Sequence, residues 1–110
     1  RYGYVLSDGE RIGYVSCGFK DGRFVLNKLY LYESKRGVGA GAYAIEAVVG
    51  IAAEEGADSV WLEVNSMNSG AMRFYKREGF EEAGERGHHG TRVTDMVLKI
   101  NPEASPSNPL

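Results

Sequence analysis

A glycine-rich turn, Gly37-Val38-Gly39-Ala40-Gly41, lies between a segment that alternates like a strand and a long segment of helix formers. This junction limits the fold more than any other feature of the chain. The first backbone N–H groups of a helix point outward together with the partial positive charge of the helix end, and glycines allow a guest to approach them closely. The sequence therefore predicts an anion site, suited to a diphosphate, where this helix begins.

Three strands are predicted before the turn. Residues 2–6 and 11–19 are rich in β-branched and aromatic residues and flank an Asp-Gly signal, a pattern typical of a hairpin. Residues 24–32 follow a second Asp-Gly turn and form the third strand. By simple alternation, one face of this strand carries Val25, Asn27, Leu29 and Leu31, and the other carries Phe24, Leu26, Tyr30 and Tyr32.

A long helix and a further strand are predicted after the turn. Helix formers run from residue 41 to 55, and Gly56 supplies a left-handed stop. Apolar residues wrap around most of this helix, so we expect it to be largely covered. Residues 59–64 read as a short strand, and strand, helix and strand at this spacing predict a parallel βαβ unit.

A short second helix is expected next, capped by Asn68 or Ser69 and ended by Gly79. The chain then ends in a predicted strand pair, at 80–82 and 93–100, joined by a polar loop from Gly84 to Arg92. Together these elements predict an α+β domain over residues 1–100 with a mixed sheet, and a flexible, proline-containing tail over 101–110.

Composition excludes several classes of partner. The formal net charge is -2 and the pI is about 5.7, so the chain lacks the basic field that nucleic acid requires. The longest apolar stretch, 42–53, is shorter than the ~20 residues of a membrane-spanning helix, so no membrane partner is expected. The single cysteine, Cys17, fits a reducing cytoplasmic location and is expected to be a buried small hydrophobe.

Two other glycine-rich motifs fit the turn less well. A Walker A loop needs Lys and then Ser or Thr after its last glycine, where this chain has Ala42 and Tyr43. A dinucleotide fingerprint matches formally, but it belongs at the first strand of a parallel fold, whereas three antiparallel strands come first here. No metal site is expected either, since His88 and His89 have no Cys or carboxylate at ligand spacing.

Two motifs of this chain, in the same order along the sequence, resemble the two signature motifs of the GNAT acetyltransferase superfamily. The run Arg36-Gly37-Val38-Gly39-Ala40-Gly41, which follows Leu29-Tyr30-Leu31, is similar to its signature of Arg or Gln, two residues, Gly, one residue, then Gly or Ala. Residues 68–80, with Asn68, Ala71, Tyr75 and Gly79-Phe80, are similar to its second signature. The resemblance covers residues 2–100 and implies a GNAT-like sheet with a central cofactor-binding βαβ unit.

This resemblance implies acetyl-CoA as co-substrate, no metal, and acetyl transfer to a primary amine of a small molecule or protein. The positions that would contact the cofactor are Leu29, Leu31, Arg36, Gly37, Val38, Gly39, Ala40, Gly41, Asn68 and Tyr75. The backbone of Leu31 would hold the acetyl carbonyl, and Tyr75 would be the general acid. By its position, Glu63 on the strand after the long helix or Glu33 at the end of the strand before it could take the amine proton directly or through water, while a small, partly neutral amine could need no dedicated base.

The chain also departs from the family pattern. The strand and two helices that usually precede the first hairpin, and wall the acceptor pocket, have no counterpart here, and Glu33 stands where many members have proline. We therefore expect part of a longer enzyme, or a half completed by a second copy or by an N-terminal segment. The alternative function is a non-catalytic acyl-CoA-binding or regulatory half-domain.

Overall fold

The computed structural model describes residues 2–7, 9–32 and 39–100. These residues form six strands and two helices in chain order: β1 (Tyr2–Ser7), β2 (Glu10–Lys20), β3 (Arg23–Leu31), α1 (Ala40–Glu54), β4 (Ser59–Asn65), α2 (Ser69–Arg77), β5 (Glu81–His88) and β6 (Thr91–Lys99). The expected tail, 101–110, lies outside the described residues.

The strands form one mixed sheet in the order β1-β2-β3-β4-β6-β5. Strands β1, β2 and β3 are antiparallel neighbours, β3 and β4 are parallel, and β6 is antiparallel to both β4 and β5. Helix α1 connects the parallel pair, as the spacing predicts. The predicted α+β fold, with antiparallel first strands, a central βαβ unit and a final strand pair, is confirmed.

One hydrophobic core lies between the sheet and the helices. Helix α1 contributes small and β-branched side chains from one face, and the sheet contributes larger ones; the most deeply buried of them are Cys17, Phe24, Ala44, Val48, Ala52, Val60 and Met96. The opposite side of α1 is open, since Tyr43 is 46% exposed. The expectation of a largely covered helix is therefore wrong, because within the described residues only one face of α1 packs on the sheet.

A bulge in β3 changes which side chains share a face. Ser16 is opposite Lys28 and Cys17 is opposite Leu26, so β3 carries one extra residue, Asn27. Beyond it, Leu29 pairs with Val15. A bulge residue shifts the alternation by one position, so Leu29 and Leu31 join Leu26 on the core face instead of lying opposite to it. The predicted faces of this strand are wrong after Asn27 for that reason.

The predicted polar loop from Gly84 to Arg92 is also wrong. Strands β5 and β6 stay paired as far as His88 and Thr91. Only His89 and Gly90 turn the chain, at φ 50° and 81°. Two consecutive positive φ values match the two-residue turns that suit the twist of a hairpin. The polar side chains of this hairpin face water. Because the two strands therefore lack apolar alternation, the sequence pattern did not indicate that they pair.

Candidate active site

The sheet opens between β3 and β4. These parallel neighbours are in register only at Val25 and Trp61. Beyond that point β3 stays bonded to β2, with the Tyr32 N–H donating to the Ile12 carbonyl at 2.9 Å, while β4 stays paired with β6 as far as Asn65. Each strand keeps its outer neighbour, so the carboxyl ends of β3 and β4 separate and leave an opening in the sheet.

Helix α1 begins at this opening, and its first residues are a glycine cap without a side chain and two small residues, Ala40 and Gly41. Gly39 is its N-cap residue at φ 79°, a left-handed conformation that glycine adopts without strain, and its carbonyl accepts the Tyr43 N–H at 3.0 Å. No side chain caps the helix and its first turn contains no acidic residue. The first N–H groups of a helix have no intrahelical partner, so Ala40 and Gly41 lie where amide donors can meet an anion, although Glu78 lines the same cleft.

Gly41 leaves room for the close contact between the two helices. A Cβ atom at this position would lie 2.5 Å from Cε1 and 2.8 Å from Cζ of Phe74 on α2. Those distances are far below van der Waals contact, so the last glycine of the motif allows the start of α1 to meet α2. The motif therefore serves packing as well as anion binding.

A cleft of about 560 Å³ lies at this helix start. Its walls come from the end of β3, the first turn of α1 and the last turn of α2: Leu31, Gly39, Ala40, Gly41, Ala42, Phe74, Arg77 and Glu78. Arg77 has a side chain 74% exposed and a weak ion pair with Glu78 at 3.9 Å. The charge of Arg77 adds to the partial positive charge of the helix end, and the Glu78 carboxylate on the same rim offsets part of it.

Asn68 and Tyr75 lie on α2 in different roles. The Oδ1 atom of Asn68 accepts the Ala71 N–H at 3.1 Å, which makes Asn68 the helix cap. The Tyr75 ring packs edge-on against Phe74 and Phe80, with centroids 5.1 and 5.5 Å away. Burial raises the pKa of the Tyr75 hydroxyl above its ordinary value of 10.0, so the group keeps its proton at neutral pH.

Glu63 faces the other side of the sheet. Its neighbours Leu62 and Val64 point into the core beneath the helices, whereas the Glu63 side chain is 58% exposed and pairs with Arg86. It lines a second cavity, of about 520 Å³, that reaches the bulge residue Asn27 on β3. A carboxylate thus stands by the opening, on the face opposite the α1 cleft.

The predicted site residues do not all meet, and Asn68 and Tyr75 on α2 line neither the α1 cleft nor the second cavity. Leu31, Gly39, Ala40 and Gly41 meet in the α1 cleft, while Glu63 lies across the sheet. Leu29 packs against the core instead of lining the cleft. Arg36, Gly37, Val38 and Glu33 lie outside the described residues.

Sequence reasoning missed several residues that the fold brings to these cavities. Phe74, Arg77 and Glu78 were read only as parts of a helix, and a third, smaller cavity next to the second adds Arg23, Trp61, Arg86 and Asp95. The sequence did contain a signal for the residues of α2, because residues three and four positions apart, such as Phe74, Arg77 and Glu78, lie on one face of a helix. The residues on β5 and β6 meet only through strand register, which the sequence does not display.

The described ranges contain no group of three or more His, Cys, Asp or Glu side chains able to hold a metal ion. Neither described helix has the length and apolar character needed to cross a membrane. Cys17 is buried, at 1% exposure, as expected.

Comparison with known proteins defines the family. Residues 1–80 match the acetyltransferase (GNAT) family. The chain therefore belongs to the GNAT family, and the resemblance drawn from its two motifs is confirmed.

Among curated relatives, an uncharacterized N-acetyltransferase of Mycobacterium tuberculosis is 44% identical over 84% of this chain and 63% of its own length. An L-methionine sulfoximine/L-methionine sulfone acetyltransferase of Pseudomonas aeruginosa is 30% identical over 96% of this chain and 70% of its own. A streptothricin acetyltransferase of Streptomyces lavendulae is 29% identical over 73% and 43%. The chain thus spans about three fifths of the mycobacterial relative.

Solved structures share the fold. Nourseothricin acetyltransferase superposes with a TM-score of 0.73 at 25% identity, over 86% of this chain and 61% of that one. A GNAT family acetyltransferase from Elizabethkingia anophelis with acetyl-CoA bound gives 0.72 at 14% identity, over 86% and 72%.

Proposed function

We propose that this domain transfers an acetyl group from acetyl-CoA to a primary amine of a small molecule or protein by direct attack. One observation carries the proposal: the opening between β3 and β4 has a bare helix start on one side of the sheet and a carboxylate, Glu63, on the other. A donor and an acceptor can reach this opening from opposite faces. Two relatives are named for small-molecule substrates, which favours a small amine.

The acyl donor would occupy the α1 cleft. In this proposal the amides from Val38 to Gly41 hold the CoA diphosphate, with Arg36 and Gly37 completing the turn, and Arg77 adds charge at the rim. The pantetheine arm runs through the opening past Asn68, whose Nδ2 group remains a donor while its Oδ1 atom caps α2. A structure of the same fold has been solved with acetyl-CoA bound, so this architecture can hold such a donor.

The end of β3 would hold the reacting carbonyl. Neighbouring amides of a strand point to opposite edges. The Tyr32 amide is bonded to β2, so the Leu31 amide points towards the edge where β4 lies. In this proposal the backbone of Leu31, which lines the α1 cleft, holds the acetyl carbonyl and stabilises the negative charge that develops on its oxygen as the amine attacks. Leu29, two residues earlier, supports this segment by packing on the core.

The chemical step would move two protons. The amine nitrogen attacks the thioester carbon, a C–N bond forms, and the tetrahedral intermediate collapses with cleavage of the C–S bond. Tyr75, whose raised pKa keeps its hydroxyl protonated, donates to the leaving sulfur. Glu63 takes a proton from the amine directly or through water. The products are an N-acetyl amine and the free thiol of CoA.

Release of CoA thiol tests this proposal. The Tyr75→Phe variant keeps the ring that packs on Phe74 and Phe80 but lacks the hydroxyl, so we expect kcat to fall about a hundredfold or more while acetyl-CoA binding is retained. Tyr43→Phe, on the exposed side of α1, is the matched control and should act like the wild type. Acetyl-CoA binding without thiol release for any amine would favour the non-catalytic alternative, and an equal kcat for Tyr75→Phe would remove Tyr75 from the mechanism.

A further inference from the structure

Three charged side chains on adjacent strands form what we call the acid–arginine cluster: Glu63 on β4, Asp95 on β6 and Arg86 on β5. Arg86 binds Asp95 with two groups, Nε to Oδ2 at 3.3 Å and Nη2 to Oδ1 at 3.2 Å. Its Nη2 group also donates to Oε2 of Glu63. The two-point contact with Asp95 fixes the plane of the guanidinium, and Glu63 takes only one further N–H.

The cluster has unused donors and acceptors side by side. The described side-chain hydrogen bonds of Arg86 all use Nε or Nη2, and the one that the Glu63 side chain accepts uses Oε2. Among the described residues, Nη1 of Arg86 and Oε1 of Glu63 therefore have no hydrogen-bond partner. Both side chains are about half exposed, at 46% and 58%. A ligand can reach a cation and an anion that are already in contact with each other.

The cluster borders the two cavities on this face of the sheet. A small one, of about 170 Å³, is lined by Arg86 and Asp95 together with Trp61 and Arg23, and it shares Glu63 with the larger one. The Arg23 guanidinium stacks 3.7 Å above the Trp61 ring. A ligand held by the cluster would therefore have an aromatic and aliphatic wall for its remaining atoms, and the opening to β3 beside it.

We propose that the acceptor is an α-amino acid, with its carboxylate on Arg86 and its ammonium group on Glu63. This inference rests on the acetyl transfer proposed above and names the substrate class. Ammonium and carboxylate groups on one carbon match adjacent carboxylate and guanidinium groups. Binding replaces the Glu63–Arg86 ion pair by two others, Glu63 with the ammonium group and Arg86 with the carboxylate. Asp95 keeps Arg86 in place when Glu63 turns to the ammonium group. A simple amine would leave Arg86 without an anion to replace Glu63, so it is a poorer acceptor.

Fluorescence of Trp61 tests binding without any need for turnover. Trp61 is the only tryptophan of the chain and lies in the cavity wall beside the cluster. Three probes of similar shape separate the two charges: L-leucine, 3-methylbutylamine, which lacks the carboxylate, and 4-methylpentanoic acid, which lacks the amine. We expect L-leucine to bind at least about tenfold more tightly than either single-charge probe, because each charged contact contributes about that factor or more.

Two variants on the same hairpin connect this difference to Arg86. Arg86→Met should weaken L-leucine binding about tenfold to a hundredfold but should not weaken binding of 3-methylbutylamine, whose ammonium group no longer competes with Arg86 for Glu63, whereas Arg86→Lys should restore part of the loss. Arg92→Met is the matched control, since Arg92 is an exposed arginine that pairs with Glu85 at 3.0 Å and lines neither cavity on this face. Far-UV circular dichroism of each variant checks folding.

The outcomes separate the two proposals. Equal affinity for L-leucine and 3-methylbutylamine, or a preference that survives in Arg86→Met, overturns the amino-acid inference even if thiol release from acetyl-CoA continues. Selective binding of L-leucine that needs Arg86 supports the inference even if no acetyl transfer occurs, in which case only the proposed activity is wrong.

Discussion

The cavities on the two faces of the sheet beside the β3–β4 opening have different linings. The α1 cleft consists mainly of backbone and packed apolar atoms, with glycines where a side chain would collide. On the opposite face, the smaller cavity has charged side chains from β3, β4, β5 and β6 in its lining, together with Trp61. The first should therefore respond to volume and the second to charge. In the proposed reaction, the acetyl-CoA donor needs a cleft of fixed shape, whereas the choice of the acceptor amine depends on a few charged side chains.

The largest effect should follow from adding volume at Gly41. In Gly41→Val the new side chain must displace the Phe74 ring, which lies 2.5 Å from the position of the Cβ atom, so we expect a loss of about 1–3 kcal/mol in the free energy of unfolding. Urea unfolding measures this. Gly50→Ala is the matched control on α1, with nothing within 4 Å of its Cβ atom, and should stabilise by about 0.4–1 kcal/mol.

Truncating Phe74 sharpens that prediction. If the Phe74 ring is the obstacle, the double variant Gly41→Val with Phe74→Ala should lose less than the sum of the two single losses. Strict additivity would show that Gly41 is needed for another reason.

Removal of the α2 cap should have a smaller effect. Asn68→Ala loses the bond to the Ala71 N–H, so we expect about 1 kcal/mol less stability, while Asn68→Asp keeps an acceptor for that N–H and should retain most of it. Calorimetry with acetyl-CoA then separates two roles. Asp supplies the cap but no amide donor, so weaker binding in Asn68→Asp supports the pantetheine contact. Unchanged binding would leave Asn68 as a cap alone.

The raised pKa of Tyr75 predicts that the free energy of unfolding falls at high pH. The folded state holds the Tyr75 proton more tightly than the unfolded state, whose pKa is about 10. This contribution to stability is complete below pH ~10 and is lost as the pH rises through the higher folded pKa. Urea unfolding at pH 8 and pH ~10.5 should show a larger loss for the wild type than for Tyr75→Phe. Equal losses would contradict a buried hydroxyl.

The smallest effect on stability is expected at the arginines of the β5–β6 hairpin. Arg86→Met and Arg92→Met remove exposed ion pairs, which contribute little in water and less at high salt. Both urea midpoints should stay close to that of the wild type. A large loss in Arg86→Met alone would make the acid–arginine cluster a structural support and weaken its assignment to the acceptor.

The difference between the cavities also explains what sequence reasoning could predict. The glycine turn, Asn68 and Tyr75 lie in two local motifs, so their elements followed from spacing. Asn27 forms a bulge that only pairing with β2 reveals, and it reversed the expected position of Leu29. Arg86 and Glu63 are 23 residues apart in the chain and meet through β6. Such contacts depend on register across three strands, which composition and periodicity do not encode.

The central claim is that the start of α1 binds the diphosphate of acetyl-CoA. Thermal unfolding of two Gly39 variants that differ in charge tests this claim most directly. Asn and Asp both tolerate a left-handed backbone, and nothing lies within 4 Å of a Cβ atom at Gly39, so Gly39→Asn and Gly39→Asp differ essentially in charge.

We expect saturating acetyl-CoA, at about 100 times its Kd, to stabilise the wild type by about 2.7 kcal/mol, to stabilise Gly39→Asn nearly as much, and to leave Gly39→Asp almost unchanged, with NAD inactive throughout. No shift in the wild type, or equal shifts in the Asn and Asp variants, would contradict the account.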